Sequence, residues 1–368
     1  MSNVEQIIKS TIINNGPIPF EEFMDMALYY PHSGYYTSGK QRIGSQGDYY
    51  TAPYASSVMS MLIEKQIVQF FEMLGKPSVF YVVEVGAGSG RMAHDIVESA
   101  YRFHKAFYNA LKYIIVEKSS TPDIQYTEKI QVCKALSELD PFEGCILSNE
   151  LFDALPVHIV VMKDRLYEVY VDVQDNQFKE ILMPAPDELI KHFEFITIKL
   201  VEDMWTEVNL KAIEMLRDMA SVLMHGYILT IDYGYTASEY YAPHRKNGTL
   251  VCYHKHTVDN NPYEFVGQKD ITAHVDFTSL AQYGKRYGLK TLGYVKQRDF
   301  IFSMGYEELL QQIKDTLNNP VDYYRLVSAS KFLIMPEAMG DIFKVLLQYK
   351  GNKELPTPDG FRYRNNIL

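Results

Sequence analysis

The feature that most constrains the fold is a glycine-rich turn, EVGAGSG, at residues 84–90. It directly follows the apolar run Val79–Val83, which predicts a buried strand. Gly86, Gly88 and Gly90 alternate along the turn, so the backbone there can approach a ligand closely. At the end of the first strand of an α/β sheet, such a turn presents backbone amides and a helix N-terminus to a nucleotide-like ligand.

Short apolar segments alternate with segments of helical spacing along most of the chain, and this rhythm predicts an α/β fold with a parallel sheet covered on both faces. The predicted strands are Val79–Val85, Tyr113–Val116, Ile130–Cys133, Cys145–Leu147, Tyr227–Ile231, Leu289–Val295 and Phe332–Met335. The predicted helices are Met92–Tyr108, Val208–Leu223, Tyr306–Leu317, Asp322–Ala329 and Ile342–Tyr349.

Departures from this rhythm suggest the domain organisation. Residues 1–76 predict an N-terminal helical cap with a Tyr/Gly-rich loop, and residues 77–350 predict the α/β domain, followed by a tail at 351–368. Two insertions interrupt the domain, an antiparallel one at about 157–200 and a loop-rich polar one at about 236–285. Seven tyrosines between Tyr29 and Tyr54 predict either an aromatic lid or packing of the cap.

Composition narrows the class of protein. The formal net charge of −10 argues against a broad nucleic-acid-binding surface, which needs clustered Lys and Arg. No segment approaches the ~20 continuous apolar residues of a membrane span. The N-terminal residues have no signal or transit pattern, so we expect a cytoplasmic enzyme. Three scattered cysteines and the pair His254 and His256 lack metal-ligand spacing, so we expect no metal.

The spacing of the glycine turn bears on which nucleotide is bound. Dinucleotide-binding turns usually read G-x-G-x-x-G, whereas this one reads G-x-G-x-G after an acid, which favours S-adenosylmethionine. Glu84 would engage the methionine ammonium, directly or through water. Glu117, at the end of the next strand, would accept the ribose hydroxyls. The alternatives are a nicotinamide-dependent oxidoreductase, or a tight turn with two solvated acids.

The segment SNELFDALPV, residues 148–157, follows the fourth strand of the predicted sheet. Side chains beyond the carboxyl ends of such strands face the ligand crevice, so Asn149 is expected beside the cofactor. Glu150 and Asp153 would share one side of a helical turn, and two carboxylates suit an arginine guanidinium. The alternative is that Asp153 is a turn or cap residue and Glu150 is solvated.

Four further residues are candidates. Asp48 lies in the tyrosine-rich loop and is assigned to the cofactor, while Asp232 follows the fifth strand on the crevice side and is assigned to the substrate. His274 is a candidate proton shuttle, because histidine titrates near neutral pH. Asp276, two residues on, would assist it at the substrate, or both would hold the 236–285 insertion in place.

Several motifs together resemble the MidA-like methyltransferase family, whose mitochondrial member is an arginine methyltransferase needed to assemble respiratory complex I. They are EVGAGSG, SNELFDALPV, LTIDYG, GTLVCYHKH and DITAHVDFTSL, with GPIPFEEFMDMALYYPHSGYYTSG, GDYYTAP and KFLIMPEAMGDIFKVL near the ends. The resemblance covers nearly the whole chain. One departure is Ala87, where relatives often have proline.

The resemblance implies a class I methyltransferase fold of about seven strands, S-adenosylmethionine as donor and a protein arginine as acceptor. It implies that Gly86, Gly88 and Gly90 form the cofactor turn and that Glu150 and Asp153 belong to the acceptor pocket. The expected partner is an arginine-containing protein substrate, and the chain would act alone or as a homodimer. A non-catalytic assembly factor that only holds a partner protein is the remaining alternative.

Overall fold

The computed structural model describes residues 2–39, 57–118, 127–316 and 319–363. The helices are α1 Asn3–Asn15, α2 Phe20–Tyr29, α3 Ser57–Met73, α4 Arg91–Phe103, α5 Lys105–Ala110, α6 Asp187–Ile196, α7 Leu210–Val222, α8 Ala237–Tyr240, α9 Phe277–Arg286, α10 Gln297–Ser303, α11 Tyr306–Thr316 and α12 Pro320–Ile334. The strands are β1 Ile18–Pro19, β2 Phe80–Val85, β3 Leu111–Val116, β4 Ile130–Cys133, β5 Phe142–Asn149, β6 His158–Met162, β7 Leu166–Gln174, β8 Gln177–Pro184, β9 Trp205–Val208, β10 Leu223–Tyr235, β11 Val251–His254, β12 Thr257–Asp259, β13 Asp270–Thr272, β14 Val275–Asp276, β15 Lys290–Lys296 and β16 Phe343–Lys350.

The chain divides into two compact units. The first unit comprises residues 1–49, 152–215 and 234–282, and the second comprises residues 50–151, 216–233 and 283–368. Each unit has a hydrophobic core of its own. The predicted boundaries at residues 76 and 350 stay a prediction.

The second unit is built on a large sheet with the strand order β15-β16-β10-β5-β2-β3-β4. From β10 through β5, β2 and β3 to β4, each strand is parallel to the next. Strand β16 is antiparallel to both β10 and β15. After β2 the chain builds outward through β3 and β4 and then returns to the other side of β2 with β5. This reversal makes the β2–β5 boundary the topological switch point, where ligands of open α/β sheets bind. The predicted α/β sheet of about seven strands is confirmed.

The core of the second unit explains why these strands are so apolar. Val82 and Val83 point to opposite faces of β2, and both are fully buried, as expected for a sheet with helices on both sides. Helix α3 packs on the sheet, where Phe70 stacks on Tyr227 of β10 with ring centroids 4.0 Å apart. The glycine turn therefore follows a strand that is packed on both faces.

The first unit is mainly antiparallel. Its larger sheet has the order β1-β7-β6-β9 with β8 paired to β7, and a smaller sheet has the order β12-β11-β13. The antiparallel pairing of β6, β7 and β8 is as the sequence predicts. Helices α1 and α2 contribute Ile8, Phe20 and Phe23 to a core shared with Val169 and Val171 of β7.

Two sequence predictions near the end of the chain are wrong. Residues 342–349, predicted as a helix, form β16, and residues 332–335, predicted as a strand, lie mostly within the last turn of α12. β16 is buried along almost its whole length because it lies inside the sheet, so it lacks the alternation that marks a half-exposed strand. The predicted helix Met92–Tyr108 is also interrupted, because His104 leaves helical geometry between α4 and α5.

Candidate active site

The glycine turn after β2 adopts a backbone that only glycine takes up easily. Gly86, Gly88 and Gly90 have φ values of 75°, 55° and 71°, all in the left-handed region. A Cβ atom added to Gly86 would lie 2.8 Å from Cδ1 of Leu151. Gly90 is the N-cap of α4 and has no side chain to occupy the helix N-terminus. The turn is thus an open cradle that leads into a helix.

Glu84 is a buried carboxyl at the end of β2. Its Oε2 accepts a hydrogen bond of 2.8 Å from the hydroxyl of Tyr113 on the neighbouring strand β3. The pKa of Glu84 is raised to about 7, mainly by burial; the hydrogen bond from Tyr113 lowers it and the nearby charge of Glu117 raises it. A cation placed beside this carboxyl would favour its ionised form.

Glu117 follows the last residue of β3 and lies at the same edge of the sheet. Its Oε2 accepts a hydrogen bond of 3.2 Å from the backbone N–H of Gly88, so it is held against the glycine turn. Its own N–H donates to the carbonyl of Cys133 at the end of β4. This position, beside the turn, suits the predicted contact with a ribose diol.

The end of β5 carries the next two candidates. Glu150 has a φ of 51°, an uncommon conformation for a residue other than glycine, and its N–H donates to the carbonyl of Ile231 on β10. Asn149 donates from Nδ2 to Oε1 of Glu150 at 3.1 Å. Oδ1 of Asn149 is buried and accepts no hydrogen bond from the described residues.

Asp232 lies near the carboxyl end of β10, next to β5, and is completely buried. Its Oδ1 accepts a hydrogen bond of 2.9 Å from the N–H of Tyr233. Lys344 on β16 is its cross-strand neighbour. The carboxyl ends of the four adjacent strands β3, β2, β5 and β10 therefore bring together the candidates of the second unit, namely Glu84, Gly86, Gly88, Gly90, Glu117, Asn149, Glu150 and Asp232.

Asp153 belongs to the first unit. It is buried, and its carbonyl accepts a hydrogen bond of 3.0 Å from the N–H of Ala273, just before His274. The flanking carbonyls of Phe152 and Leu155 accept from Nδ2 of Asn209. Residues 152–155 form an isolated turn, in which the N–H of Leu155 donates to the carbonyl of Phe152 at 3.4 Å, rather than the predicted helical turn. The predicted pairing of Glu150 with Asp153 stays a prediction.

His274 lies between β13 and β14 of the first unit. Its N–H donates to Oγ1 of Thr249 at 3.1 Å, and its ring stacks on Tyr235 with centroids 5.0 Å apart. The guanidinium of Arg245 lies 3.8 Å from the centre of the same Tyr235 ring. The histidine is thus positioned by an aromatic ring and a fixed backbone contact.

Asp276 caps helix α9. Its Oδ1 accepts from the N–H groups of Thr278 and Ser279, and its Oδ2 accepts from the Ser279 hydroxyl at 2.6 Å. Burial raises the pKa of Asp276 to about 6, against the effect of these hydrogen bonds. This geometry favours the anchoring alternative, in which Asp276 holds the 236–285 segment; the substrate contact stays a prediction.

Glu207 is a buried carboxyl in the first unit that sequence reasoning missed. It accepts hydrogen bonds from the N–H groups of Thr249 and Leu250 and from the hydroxyls of Thr249 and Tyr240. The sequence signal is weak, namely a single acid between Thr206 and Val208; in the structure both neighbours are buried in the short strand β9. Through Thr249, Glu207 fixes the residue that accepts the His274 N–H.

A small cavity of about 20 Å³ lies in the first unit, lined among others by His192, Glu207, His274 and Asp276. This volume holds about one water molecule, so the cavity is too small for a substrate. Burial lowers the pKa of His192 to about 4, so this imidazole is neutral at physiological pH. The cavity therefore belongs to the packing around the His274 segment.

The remaining predictions concern Asp48, metal binding and membrane spans. Asp48 lies outside the described residues. Among residues 2–39, 57–118, 127–316 and 319–363, no three His, Cys, Asp or Glu side chains are grouped as metal ligands. In the same ranges, no helix combines the length and the apolar character that a bilayer crossing requires.

Comparison with protein families identifies the family of the chain. A family model described as S-adenosyl-L-methionine-dependent methyltransferase matches residues 62–295, well over half of the chain. The chain belongs to this family. The match includes the glycine turn, Glu117 and the β5 end, and the resemblance to MidA-like methyltransferases is confirmed.

Individual relatives agree with this assignment. The chain is 26% identical over 94% of its length to the protein from Drosophila melanogaster named "Protein arginine methyltransferase NDUFAF7 homolog, mitochondrial", and it covers 84% of that protein. It is 27% identical over 91% of its length to the human NDUFAF7, also named a mitochondrial protein arginine methyltransferase, and covers 80% of it. The crystal structure of a COG1565 superfamily member from Burkholderia thailandensis, bound to S-adenosyl-homocysteine, has a TM-score of 0.88 and 27% identity, with 99% of this chain and 95% of that chain covered.

These relatives also correct the predicted location. We expected a cytoplasmic enzyme, but the relatives from fruit fly, mouse and human are all named mitochondrial proteins. The expectation is therefore wrong. The expectation rested on the pattern of the N-terminal residues, and that pattern could not decide the location.

Proposed function

We propose that this methyltransferase transfers a methyl group from S-adenosylmethionine to the side chain of an arginine in a protein. The observation that carries the proposal is the convergence of the glycine turn, Glu117 and Glu150 at the carboxyl ends of β2, β3 and β5, around the switch point of the sheet. The relatives from fly and human are named protein arginine methyltransferases, which supports arginine as the acceptor.

The residues present fit the cofactor. The left-handed glycines leave a backbone cradle, and the buried Oδ1 of Asn149, which accepts no hydrogen bond from the described residues, can receive one from a bound ligand. Glu84 and Glu117 supply the carboxyls for an ammonium and a ribose diol. S-adenosylmethionine, when bound, supplies a methyl group activated by its sulfonium.

Glu150 would orient the acceptor. A guanidinium stays protonated in water and pairs with carboxylates through its planar set of N–H donors. Glu150 would hold it in one orientation and draw its charge toward the paired nitrogens, which leaves another nitrogen for the methyl group. Its strained backbone and its contact with Asn149 fix the direction of the carboxylate. The S–CH3 bond would break as the N–CH3 bond forms, S-adenosylhomocysteine would leave, and the methylated nitrogen would release one proton to solvent. Methyl transfer would then depend mainly on proximity and orientation.

Asp153, His274 and Asp276 lie in the first unit, and their catalytic or substrate-binding roles remain sequence-based predictions. Asp232, at the sheet edge of the second unit, remains a candidate for the substrate. A protein with an accessible arginine is the proposed partner, and a homodimer is the proposed assembly.

The test is methylation with a labelled donor. The purified protein is incubated with labelled S-adenosylmethionine and a lysate, and the labelled protein is hydrolysed for amino-acid analysis. We expect the label in methylarginine for the parent protein and its loss for Glu150→Gln, with S-adenosylhomocysteine binding unchanged.

The matched control is Glu143→Gln, which changes a glutamate at the opposite end of the same strand β5 and should methylate at the parental rate. Label in another amino acid would contradict arginine as the acceptor. Parental turnover by Glu150→Gln would contradict the role of Glu150. Absence of any label with cofactor binding intact would favour a non-catalytic assembly factor.

A further inference from the structure

Leu151 of the second unit lies directly over the glycine turn. The position that a Cβ atom would take on Gly86 is 2.8 Å from Cδ1 of Leu151 and 3.7 Å from its Cβ and Cγ. Leu151 is half-buried, and it is not among the described side chains that pack into the hydrophobic core of the second unit. Its contact with the turn therefore needs an explanation other than core packing.

The contact crosses the crevice at the switch point of the sheet. The N–H of Gly86, after β2, donates to the carbonyl of Val116 on β3 at 3.0 Å. The N–H of Glu150, after β5, donates to the carbonyl of Ile231 on β10 at 3.0 Å. Strands β3 and β10 lie on opposite sides of the β2–β5 pair, so the two segments stay attached to opposite neighbours. A crevice opens between them, and the side chain of Leu151 reaches across it to Gly86.

We propose that Leu151 is a positioning residue for methyl transfer. Its side chain is a spacer that sets the gap between the glycine turn and Glu150, and it is also the apolar wall against which the cofactor binds. The proposal rests on the function proposed above, in which the turn holds the cofactor and Glu150 holds the guanidinium. A misplacement of reacting groups by about 1 Å can slow a reaction ~100-fold, so the length of such a spacer matters.

Both ends of the spacer are fixed by the backbone. Gly86 and Glu150 are both left-handed, with φ values of 75° and 51°, and each donates its N–H to a strand of the sheet. A backbone held in this way cannot readily move to fill a gap. The size of the side chain at position 151 therefore decides how much space remains between the turn and the carboxylate.

The apolar character of Leu151 suits this place. Polar groups at the same strand ends come from Glu84, Asn149 and Glu150. A leucine among them has no hydrogen-bond donor or acceptor, so it competes neither for the ammonium of the cofactor nor for the guanidinium of the acceptor. It also excludes water from the crevice, which strengthens the electrostatic interactions beside it.

Contact with the cofactor is tested by alkylation with iodoacetamide. Leu151→Cys places a thiol over the turn, and this thiol should react in the empty protein because the position is half-exposed. S-adenosylhomocysteine at 100 times its dissociation constant should slow the reaction at least ~10-fold, since only about 1% of the molecules remain empty. Val321→Cys, at a 54% exposed position on α12, is the matched control, and its alkylation rate should not change. The parent protein corrects for the three native cysteines.

The spacer role is tested by calorimetry and by the labelled methylation assay. Leu151→Ala should lower the affinity for S-adenosylhomocysteine about tenfold, because the apolar wall is lost. At saturating S-adenosylmethionine its methylation rate should remain ~10–100-fold below the parental rate, because saturation restores binding but not position. Leu151→Met, which conserves the volume, should restore most of both values. Leu310→Ala removes the same atoms from a half-buried leucine of α11, and it should leave both values at the parental level.

Three results would overturn the proposal and leave the proposed function intact. They are alkylation of Leu151→Cys at the same rate with S-adenosylhomocysteine bound, a parental methylation rate for Leu151→Ala at saturating donor, and equal losses in Leu151→Ala and Leu310→Ala. A parent protein that binds no S-adenosylhomocysteine would instead contradict the proposed function, and this proposal with it. Circular dichroism of each variant verifies that the fold is intact, so an unfolded variant cannot pass as a mispositioned one.

Discussion

At the scale of single residues, Glu84 is the most informative side chain of the candidate active site. It is a buried carboxyl whose charge is opposed by burial and by Glu117, and one hydroxyl, that of Tyr113, partly compensates. A carboxyl with a pKa near 7 exchanges its proton in the range where the enzyme works. If it contacts the ligand ammonium, binding must favour its ionised form and release a proton.

The resulting prediction concerns pH. Because the pKa of Glu84 in the empty protein is about 7, the carboxyl is mostly protonated at pH 6 and mostly ionised at pH 8. We expect the affinity for S-adenosylhomocysteine to fall about tenfold from pH 8 to pH 6, as measured by calorimetry. Glu84→Gln, which can still accept from Tyr113, should bind weakly and without this pH dependence.

An unchanged pH profile in Glu84→Gln would assign the dependence to another group and remove Glu84 from the ammonium site. Injections in buffers of different ionisation enthalpy add an independent reading, because the parent protein should release up to one proton on binding near pH 6 and the variant none.

The sequence predicted some residues of the candidate active site but not the partners that hold them in place. The glycines, Glu84 and Glu117 could be chosen because they follow predicted strands, and strand ends meet at one edge of the sheet. The Tyr113 hydroxyl and the N–H of Gly88 could not be paired with them, since each pair is separated by 29 residues and depends on the register of β2 against β3. Glu207 lies in β9, a strand that the sequence analysis did not predict, and no motif marks it.

At the scale of elements, Glu207 fixes the turn before β11. One carboxylate satisfies the N–H groups of Thr249 and Leu250 and the hydroxyl of Tyr240. Gly248 must be a glycine here, because its φ is 73° and an added Cβ would lie 2.1 Å from Oε1 of Glu207. The turn and the carboxylate therefore depend on each other.

This dependence predicts the outcome of a double-mutant cycle. Glu207→Ala leaves buried donors without an acceptor and should lower the free energy of unfolding by about 3 kcal/mol. Gly248→Ala introduces both a left-handed alanine, at a cost of about 1–2 kcal/mol, and the clash with Glu207. In the double variant the clash is absent. Urea denaturation should therefore show a loss of unfolding free energy that is smaller than the sum of the losses in the two single variants.

Strict additivity would show that the two residues act independently. As a matched control, Gly288→Ala introduces a left-handed alanine (φ 83°) where nothing lies within 4 Å, and its effect should add to that of Glu207→Ala.

Elements differ in how well the sequence predicts them. The strands β2 to β5 are short apolar runs bounded by turns, and they were found within a few residues. The strand β16, FKVLLQYK, was not predicted because it is buried on both faces. Its apolar residues therefore show neither the alternation of a half-exposed strand nor the spacing of an amphipathic helix. The end of α12 was read as a strand because Phe332, Leu333 and Ile334 form a short apolar run, although one side of that helix is exposed.

At the scale of the whole molecule, two units with separate cores share one chain that passes between them several times. The family assignment explains the sheet of the second unit, and the alternation of strands and helices predicted it. The discontinuous grouping of residues 1–49, 152–215 and 234–282 could not be predicted, because it depends on contacts between segments far apart in sequence.

For the whole molecule, ligand binding should be measurable as an increase in the free energy of unfolding. A ligand that binds only the folded protein stabilises it by about 2.7 kcal/mol at a concentration of 100 times its dissociation constant. We expect S-adenosylhomocysteine to shift urea or thermal unfolding accordingly, and NADH to have no effect. A shift produced by NADH alone would contradict the methyltransferase site and favour an oxidoreductase.

The position of β16 inside the sheet has a consequence for biosynthesis. It fills the gap between β10 and β15, and β15 has no other partner in the described sheet. A nascent chain that has left the ribosome as far as β10 must expose that strand's edge until residues 236–350, which include β16, have been translated. Unpaired strand edges attract other chains, so a holding chaperone would be most useful to this protein during that interval of its synthesis.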